Sequence, residues 1–394
     1  MRKPYALRGV GKMKTVLLIG EIYSHNLGDP LLCKTVESLI ALRHQDSKVV
    51  FLELSGKTVI INEDVKRSRL KGTPYEQMLI TKNRICGKIY KTVQAWSPYA
   101  RAYCADRDRH IRMTATLELL LKIFSFDVAV FAGGSLFMDY FSGNVYSACK
   151  ILKKAGIPII FHACGMGPLS SDSIKILKQA FRMENVRAIS LRDSYQLFED
   201  VFNIPFVRTN DTALLCSEFY KPSDKKKYEI GMGIIDVPEV YDCQVRMLRC
   251  LIRSDHSWKL FTNGSEYDFA IAGQLLRDVG IDQGRQNQYV VERPQSVEQL
   301  VKDITSFDCI VSFRLHSQII ASSFGIPNYG IIWSKKIEDF HESMGQGSHA
   351  HAADGGFSFL EKLSFQKDSS LYYRANHAGA QSKEVLYQSL DLIG

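Results

Sequence analysis

Short apolar runs alternate with helix-like patterns along most of the chain. In its first half, six mainly apolar runs each end near a glycine or a polar residue, and segments with helical spacing lie between them. Near-continuous apolar strands separated by helices are typical of a parallel sheet covered on both faces. Right-handed crossovers then build a doubly wound domain. The predicted strands are 15–20, 49–54, 128–131, 158–162, 187–191 and 206–209, and the clearest helix is 31–42.

The pattern stops at a polar stretch, residues 221–227, and then begins again. Charge and a proline are typical of a linker between domains. We therefore predict an α/β protein of two doubly wound Rossmann-like domains that face a cleft, a glycosyltransferase-B-like architecture. The predicted domains are 12–222, 226–375 and a terminal segment 376–394. In the second half the predicted strands are 230–235, 258–262, 289–291, 309–313 and 326–332, and the predicted helices are 240–253, 268–279, 296–304 and 383–392.

Composition agrees with two globular cores. The chain has 394 residues, of which 45% are hydrophobic and 23% charged, so disorder, collagen-like repeats and coiled coils are excluded as the main architecture. Apolar runs stay well short of the roughly 18 residues that span a bilayer, and 15–20 is too short for a signal peptide. We predict a cytoplasmic protein. The alternative is that it acts at the inner face of the membrane.

The positive charge is concentrated in one segment. The net charge is +8, and residues 65–112 contain twelve Lys/Arg against three acids. This segment interrupts the strand–helix alternation, so we interpret it as an insertion in the first domain. A solvated segment on the protein surface would explain this insertion. The alternative is a patch that binds an anionic membrane or a phosphate-bearing acceptor. No nucleic-acid-binding module is recognisable, and no nucleic acid is predicted as a partner.

Cysteine and histidine spacing gives no metal site. Nine cysteines are scattered without a Cys-x-x-Cys pair, and Cys164 and Cys309 lie among apolar neighbours, as small core residues do. Neither a disulfide framework nor a zinc site is predicted. His349 and His351 near Asp354 would be metal-ligand candidates, but their Gly/Ala/Ser-rich surroundings indicate a loop.

Three glycine-containing turns follow strands of the first half. Such turns leave backbone N–H groups for an anion or a hydroxyl-rich ligand, and glycine lets the ligand approach closely. A tight strand-to-helix turn, with Asp29 as a helix cap in the first case, explains each turn equally well. Together on one sheet edge they predict a ligand rim. The three turns are Asn26-Leu27-Gly28-Asp29, Gly133-Gly134-Ser135 and Gly165-Met166-Gly167.

Cationic residues follow three further strands. Arg192 and Arg314 have the fork geometry that suits phosphate or carboxylate, although Arg192 has a salt bridge with Asp193 or Asp211 as its alternative. Arg314 and His316 stand two apart where a helix begins, and a helix N-terminus favours an anion. His316 is suited to proton transfer. Lys335 and Lys336, after the next strand, are candidates for a ligand phosphate or an exposed basic pair.

The ordered set of motifs resembles the polysaccharide pyruvyltransferase family. The resemblance extends from about Val16 to Phe340, and its most specific part is Arg314-Leu315-His316 with Gly325-x-Pro327. Ser135 stands where the family has a third glycine, and Pro30 where an acid is common. The other matching motifs are Asn26-x-Gly28-Asp29, Gly133-Gly134, Gly165-x-Gly167-Pro168, 190–193 (Ser-Leu-Arg-Asp), Asp211-x-Ala213-Leu214 and 261–264 (Phe-Thr-Asn-Gly).

The resemblance implies phosphoenolpyruvate as donor, bound by the second domain, and a sugar or lipid-linked oligosaccharide as acceptor. The product is a pyruvate ketal in a surface polysaccharide of the cell envelope, formed with release of phosphate. Arg314, His316 and Arg192 match the family's functional residues, and Lys336 matches its lysine, with Trp333 at the usual tyrosine. We expect His316 to be the general acid and Asp29 or Asp211 to orient the acceptor, without a cofactor or a metal.

The predicted substrate-binding residues lie at strand ends or helix starts. They are Asn26, Gly28, Asp29, Gly133, Gly134, Ser135, Gly167, Asp211, Asn263 and Ser317.

Two other functions would use the same fold. One is a glycosyltransferase that takes a sugar nucleotide. The other is a non-catalytic assembly protein, for which loss of the cationic residues of the cleft is expected.

Overall fold

The chain forms two compact units. A computed structural model describes residues 15–56, 98–224 and 228–393. The first unit comprises the described residues within Met1–Tyr23, Val36–Arg208 and Val385–Gly394, and the second comprises those within Ser24–Thr35 and Thr209–Glu384.

The first unit contains a parallel six-stranded sheet in the order β2-β1-β3-β4-β5-β6. Its strands are short apolar runs, and β3 and β4 are buried along their whole length. A phenylalanine-rich core, with Phe131, Phe137 and Phe161 fully buried, packs against the sheet. The strands are β1 (Thr15–Gly20), β2 (Lys48–Glu53), β3 (Val128–Ala132), β4 (Ile159–Cys164), β5 (Val186–Leu191) and β6 (Val207–Arg208).

Helices connect these strands, as parallel pairing requires. Helix α4 begins after Ser170, whose hydroxyl accepts the backbone N–H of Ser173 and so caps the helix. Among the described residues, the helices that begin in the first half are α1 (Gly28–Arg43), α2 (Pro98–Ile123), α3 (Asp139–Lys154), α4 (Ser171–Phe181) and α5 (Tyr195–Phe202).

The second unit contains a parallel five-stranded sheet in the order β11-β10-β9-β7-β8. Two apolar clusters pack in this unit, one including Leu300, Phe307 and Ile320 and the other Leu248 and Leu260. The strands are β7 (Tyr228–Gly233), β8 (Trp258–Phe261), β9 (Phe307–Ser312), β10 (Asn328–Ile332) and β11 (Ala350–Ala352). The helices are α6 (Cys216–Phe219), α7 (Tyr241–Arg253), α8 (Glu266–Asp278), α9 (Val297–Thr305), α10 (Leu315–Ser323), α11 (Lys335–Ser343) and α12 (Ser369–Asp391), of which the last helix continues past Glu384 into the first unit.

Both sheets repeat one connection rule. In each, the first strand lies between the second and the third, and later strands follow outward. The strand order therefore reverses between β1 and β3 in the first sheet and between β7 and β9 in the second. In doubly wound sheets, ligands bind outside the carboxyl ends of the strands at such a reversal. The Gly133–Ser135 turn follows β3, and Arg314 follows β9.

Several boundaries differ from the predictions. The described units separate between Arg208 and Thr209, upstream of the predicted linker, and the segment Ser24–Thr35 belongs to the second unit. The predicted strand 289–291 is wrong, because Val290 forms only a single parallel bridge with Leu260. The predicted terminal helix begins earlier, at Ser369.

The basic segment 65–112 lies mostly outside the described residues, which resume at 98. Its described end belongs to helix α2, where Arg109 pairs with Asp106 and Arg112 pairs with Asp108. Part of the positive charge of this segment is thus matched by acids on the same helix. In the described parts of the chain no helix is both long and apolar enough to cross a membrane.

Candidate active site

The Arg314–His316 turn lies at the strand-order reversal of the second sheet. Strand β9 ends at Ser312, and helix α10 begins at Leu315, so Arg314 is the residue that precedes the helix. The side chain of Arg314 does not cap the helix. The first-turn N–H groups and the helix dipole favour an anion at this end, as the sequence predicted.

Arg314 forms a two-point ion pair with Asp268 of helix α8. Its Nε donates to Oδ2 at 2.9 Å and its Nη2 to Oδ1 at 2.6 Å. Asp268 is almost completely buried, and Oδ1 also accepts the backbone N–H of Asp236. The Arg314 side chain remains 24% exposed. Because Asp268 binds one edge of the guanidinium, the Nη1 edge is the one left for a ligand anion.

His316 is in the first turn of α10 and lies against Gly28. Only 8% of His316 is exposed. A Cβ atom at Gly28 would stand 2.2 Å from Nδ1 of the imidazole, so no side chain fits there. The glycine of the N-terminal motif and the histidine of the Arg-Leu-His motif are therefore in direct contact within the second unit.

The segment that contains Gly28 is bound to the turn after β8. The N–H of Leu27 donates to the carbonyl of Asn263 at 2.7 Å. Gly264 has φ +98°, and a Cβ there would stand 2.7 Å from the carbonyl oxygen of His25. The side chain of Asn263 is 1% exposed, and both of its polar atoms lack a hydrogen-bond partner among the described residues. A buried amide of this kind is available to a ligand hydroxyl or a water molecule.

Asn26 and Asp29 form a local pair. The amide of Asn26 donates to Oδ2 of Asp29 at 3.0 Å, and the N–H of Asp29 donates to the carbonyl of Asn26. Helix α1 begins at Gly28, so Asp29 stands in its first turn, where a negative charge is favourable. The alternative that Asp29 occupies the cap position is therefore wrong.

The side chains of Ser317 and Asp211 form hydrogen bonds with backbone groups. The hydroxyl of Ser317 donates to the carbonyl of Arg314 at 2.6 Å, and the residue is fully buried. Asp211 precedes a 3-10 helix, Thr212–Leu215, and its carboxylate accepts the N–H of Ala213. These bonds give both residues a structural role. Their contact with substrate stays a prediction.

The two lysines after β10 differ. Lys335 is 75% exposed and pairs with Glu338 and with Asp339, at 3.0 Å to the latter. Its neighbour Lys336 lies in the same first turn of α11. Trp333 is anchored, because its indole N–H donates to the carbonyl of Phe313 at 2.6 Å. Both acids lie on the same helix as Lys335, so the charge of Lys335 is matched locally.

The glycine turns after β3 and β4 form a second group of predicted residues, in the first unit. Gly133 and Gly134 have φ +51° and +70°, a left-handed conformation that disfavours other residues. Their backbone joins neighbouring loops, since the N–H of Gly165 donates to the carbonyl of Gly134 at 2.7 Å. Gly167 lies against Met138. Tight backbone packing accounts for these glycines, and Ser135 follows them in the same turn.

Arg192 follows strand β5 and lies beside Asp193. Its Nε is 3.7 Å from Oδ2 of Asp193, and the two side chains are 5% and 12% exposed. Asp193 also accepts the N–H of Met166, and a Cβ at Gly165 would stand 2.5 Å from its Oδ2. The predicted salt-bridge alternative with Asp193 is therefore present, and it connects Arg192 to the glycine turn after β4.

The predicted site residues thus fall into two sets. The first unit holds Gly133, Gly134, Ser135, Gly167 and Arg192. The second unit holds Asn26, Gly28, Asp29, Asp211, Asn263, Arg314, His316, Ser317 and Lys336.

Asp268 was missed by the sequence analysis, because the one signal at this place indicates only the start of a helix. Ser265-x-x-Asp268 has the spacing of a capping box, and the Ser265 hydroxyl does accept the N–H of Asp268. The carboxylate of Asp268 is instead directed to Arg314. Nearby, Arg293 donates to the carbonyl of Gly264 at 3.1 Å and lies 3.5 Å from Glu266. Such long-range partners have no signature in sequence spacing.

Histidines of the second unit pack with aromatic rings. His349 stacks on Tyr329 with ring centroids 4.4 Å apart, and His351 stacks on Phe359 at 3.8 Å. Burial lowers the pKa of His351. Within residues 15–56, 98–224 and 228–393, no three His, Cys, Asp or Glu side chains are grouped as a metal site would need.

Known proteins share this fold. The UDP-GlcNAc 2-epimerase from Neisseria meningitidis bound to UDP-GlcNAc is similar with a TM-score of 0.52 at 11% identity, covering 96% of this chain and 99% of that chain. The UDP-N-acetylglucosamine 2-epimerase from Rickettsia bellii gives 0.52 at 12% identity, covering 96% and 97%. At these identities the likeness shows the fold, which confirms the predicted glycosyltransferase-B-like class.

Sequence comparison identifies the family. No curated protein matches the chain. The sequence model described as polysaccharide pyruvyl transferase matches residues 26–335, which include both the Asn-x-Gly-Asp and the Arg-Leu-His motifs. With most of its length matched, the chain belongs to the polysaccharide pyruvyl transferase family.

Proposed function

We propose that this protein transfers the pyruvyl group of phosphoenolpyruvate to two hydroxyls of one sugar in a surface polysaccharide or its precursor. Family membership supports a transferase of this class. The observation that supports the donor most directly is the turn in which Arg314 and His316 stand at the N-terminus of α10. A cation, a helix N-terminus and a proton donor are then grouped where an enol phosphate needs them.

The donor has a phosphate and a carboxylate, so its site needs several positive partners. We assign one anionic group to the Nη1 edge of Arg314 and the N–H groups of the first turn of α10. Lys336, which matches the lysine of the family resemblance, is assigned to the other anionic group. The role of Arg192 stays a prediction of the family resemblance.

The proposed reaction begins with protonation of the methylene carbon of the donor, for which His316 is the general acid. The central carbon becomes electrophilic, one sugar hydroxyl adds to it and loses its proton, and the carbon–oxygen bond to phosphate breaks. A second hydroxyl of the same sugar adds and closes the ketal. One hydroxyl proton returns to His316, and the other leaves with the phosphate, so the products are a pyruvate ketal and hydrogen phosphate. Every proton is balanced by the two hydroxyls, and neither a metal nor a cofactor takes part.

Acceptor contacts are assigned to the segment 26–29 and to Asn263. The orphaned amide of Asn263 offers a donor and an acceptor, which suits a sugar hydroxyl. Asp29, held by Asn26, is the carboxylate assigned to orient the acceptor. Asp211 is left out of this assignment, because its carboxylate caps a 3-10 helix.

A lipid-linked acceptor would place the reaction at the inner face of the membrane. The twelve Lys/Arg of residues 65–112 suit an anionic surface. Liposome sedimentation tests this part: reversal of four of these charges, at Lys66, Arg67, Arg69 and Lys71, should weaken association with anionic vesicles. Unchanged association would exclude the membrane contact and leave the chemistry unaffected.

The donor is tested by ligand-dependent thermal stability. Phosphoenolpyruvate should raise the thermal midpoint with concentration, because a ligand that binds only the folded state stabilises it by about 2.7 kcal/mol at one hundred times its Kd. Arg314→Lys should lose most of this rise, measured against its own ligand-free midpoint, while Arg285→Ala, an exposed arginine of the same unit, should keep it. Stabilisation by nucleotides or nucleotide sugars alone would overturn the proposal in favour of a glycosyltransferase.

A further inference from the structure

A buried chain of hydrogen bonds extends from helix α11 to the Arg314–His316 turn. Nε2 of His341 lies 2.7 Å from Oε1 of Gln318 on helix α10. Nε2 of Gln318 donates to the carbonyl of Ser312, the last residue of β9, at 2.9 Å. All three residues are fully buried.

The partners determine where the protons lie. Since the carbonyl of Ser312 only accepts, the amide nitrogen of Gln318 must face it, and the amide oxygen must face His341. His341 therefore donates from Nε2, and its Nδ1, which has no hydrogen-bond partner among the described residues, holds a lone pair. Burial agrees with this neutral form, because it lowers the pKa of His341 to about 3.

The chain continues to both backbone groups of Arg314. Oγ of Ser312 accepts the N–H of Arg314 at 3.0 Å and lies 2.6 Å from Oγ of Ser317. Ser317 in turn donates to the carbonyl of Arg314 at 2.6 Å. The N–H and the carbonyl of the residue assigned to the donor anion are thus both held by side chains that are themselves fully buried.

The sheet leaves room for this arrangement at one position. Gly330 of β10 is the register neighbour of Ser312. A Cβ there would stand 2.7 Å from both Oε1 of Gln318 and Nε2 of His341. A larger residue at 330 would therefore separate the two bonded side chains.

We propose that Gln318 and His341 are positioning residues, which fix the Arg314–His316 turn in the geometry that binds the donor and protonates it. The assignment rests on the proposed function for its catalytic meaning. Neither side chain reaches a ligand, since both are completely buried. The proposal assigns this role to the hydrogen bonds of the two side chains and not to their packing.

Three variants separate the hydrogen bonds from the packing. Gln318→Met and His341→Phe keep an apolar volume and remove the bonds, whereas His341→Gln keeps an N–H near the position of Nε2. Leu248→Ala is the matched control, since Leu248 is fully buried on α7 in the other apolar cluster of this unit and lies outside the chain of bonds. Affinity for phosphoenolpyruvate and amide hydrogen exchange of residues 312–318 are measured for each.

His341→Phe and Gln318→Met should weaken phosphoenolpyruvate binding by about tenfold or more and speed exchange at 312–318, as supporting partners of a site usually do. His341→Gln should recover most of both. Leu248→Ala should lower the thermal midpoint without either effect. Wild-type affinity in His341→Phe and Gln318→Met, or an equal loss of affinity in Leu248→Ala, would overturn the inference. If the wild-type protein does not bind phosphoenolpyruvate, the proposed function fails, while unchanged exchange at 312–318 would separately exclude the positioning role.

Discussion

Gly28 and His316 are in contact, although most of the chain separates them. The imidazole occupies the space that any side chain at residue 28 would need, with Nδ1 2.2 Å and Cγ 2.3 Å from the position of a Cβ. The N-terminal motif thus serves the second unit, to which Ser24–Thr35 belongs. The glycine is required by the histidine it touches, and a ligand need not be invoked to explain it.

Gly28→Ala is therefore expected to displace His316. The overlap should lower the free energy of unfolding by about 1–3 kcal/mol, as overpacking of a buried contact does. The same displacement should weaken binding of phosphoenolpyruvate. Urea unfolding and ligand-dependent thermal shifts measure the two effects.

The matched control for that variant is Gly143→Ala, because a Cβ at residue 143 of helix α3 meets nothing within 4 Å. It should be neutral or slightly stabilising, as alanine is in a helix. Adding His316→Ala to Gly28→Ala should restore part of the lost stability, because the clashing ring is gone. Additive losses in the double variant would contradict the contact.

Arg314→Ala should destabilise the protein strongly, whatever its effect on catalysis. Removing the guanidinium would leave the buried carboxylate of Asp268 without its ion-pair partner. Breaking one side of such a buried pair costs about 3–5 kcal/mol. Urea unfolding gives the value, and the exposed Arg285→Ala should change it by about 0.5 kcal/mol at most. A small loss in Arg314→Ala would show that Asp268 does not depend on this arginine.

Much of the fold was predictable because it depends on local patterns. Strand β3 was predicted as 128–131 and is Val128–Ala132, since a continuous apolar run buried on both faces has a clear signature. Helix α12 was recognised only at its end. Between the buried Leu371 and Leu386 the helix buries small residues, Ala375, Ala378 and Ser382, so this stretch lacks the periodic large apolar side chains that usually reveal a helix.

The site was predictable in its residues and not in its contacts. Arg314 and His316 could be found because a strand end and a helix start stand next to them in the sequence. The partners of these residues come from distant segments, Asp268 for Arg314 and Gly28 for His316. Such pairings depend on tertiary packing, and neither composition nor spacing specifies them.

Gly165→Ala tests the corresponding arrangement in the first unit. A Cβ at residue 165 would stand 2.5 Å from Oδ2 of Asp193 and 3.2 Å from Nε of Arg192. The overlap should disturb both the pair and the bond from the N–H of Met166 to Asp193, at a cost of about 1–3 kcal/mol. Urea unfolding of Gly165→Ala measures this loss of stability. Gly284→Ala is the control, because a Cβ at residue 284 meets open space. Equal stability of the two variants would show that the loop yields without cost.

His341 should make the protein less stable in acid. Its pKa is lowered to about 3 by burial, with His349 and His351 adding to the effect, whereas an unfolded histidine has a pKa of about 6.5. The unfolded state therefore binds more protons below pH 6.5, and stability falls with pH through the window from about 6.5 to 3. Between pH 7 and pH 5 this single group accounts for about 2 kcal/mol of the free energy of unfolding.

The comparison of His341→Gln with the wild type isolates that contribution. The burial of His351 also lowers its pKa and acts in the same direction, so the wild-type slope alone does not identify the group. Glutamine cannot be protonated in this range, and its N–H can still face Gln318, so the variant should lose less stability between pH 7 and pH 5. Urea unfolding at both pH values measures the difference, with the exposed His377→Gln on α12 expected to keep the wild-type slope. Equal slopes for His341→Gln and the wild type would show that the buried imidazole is protonated without cost, and the neutral form assigned to His341 would be wrong.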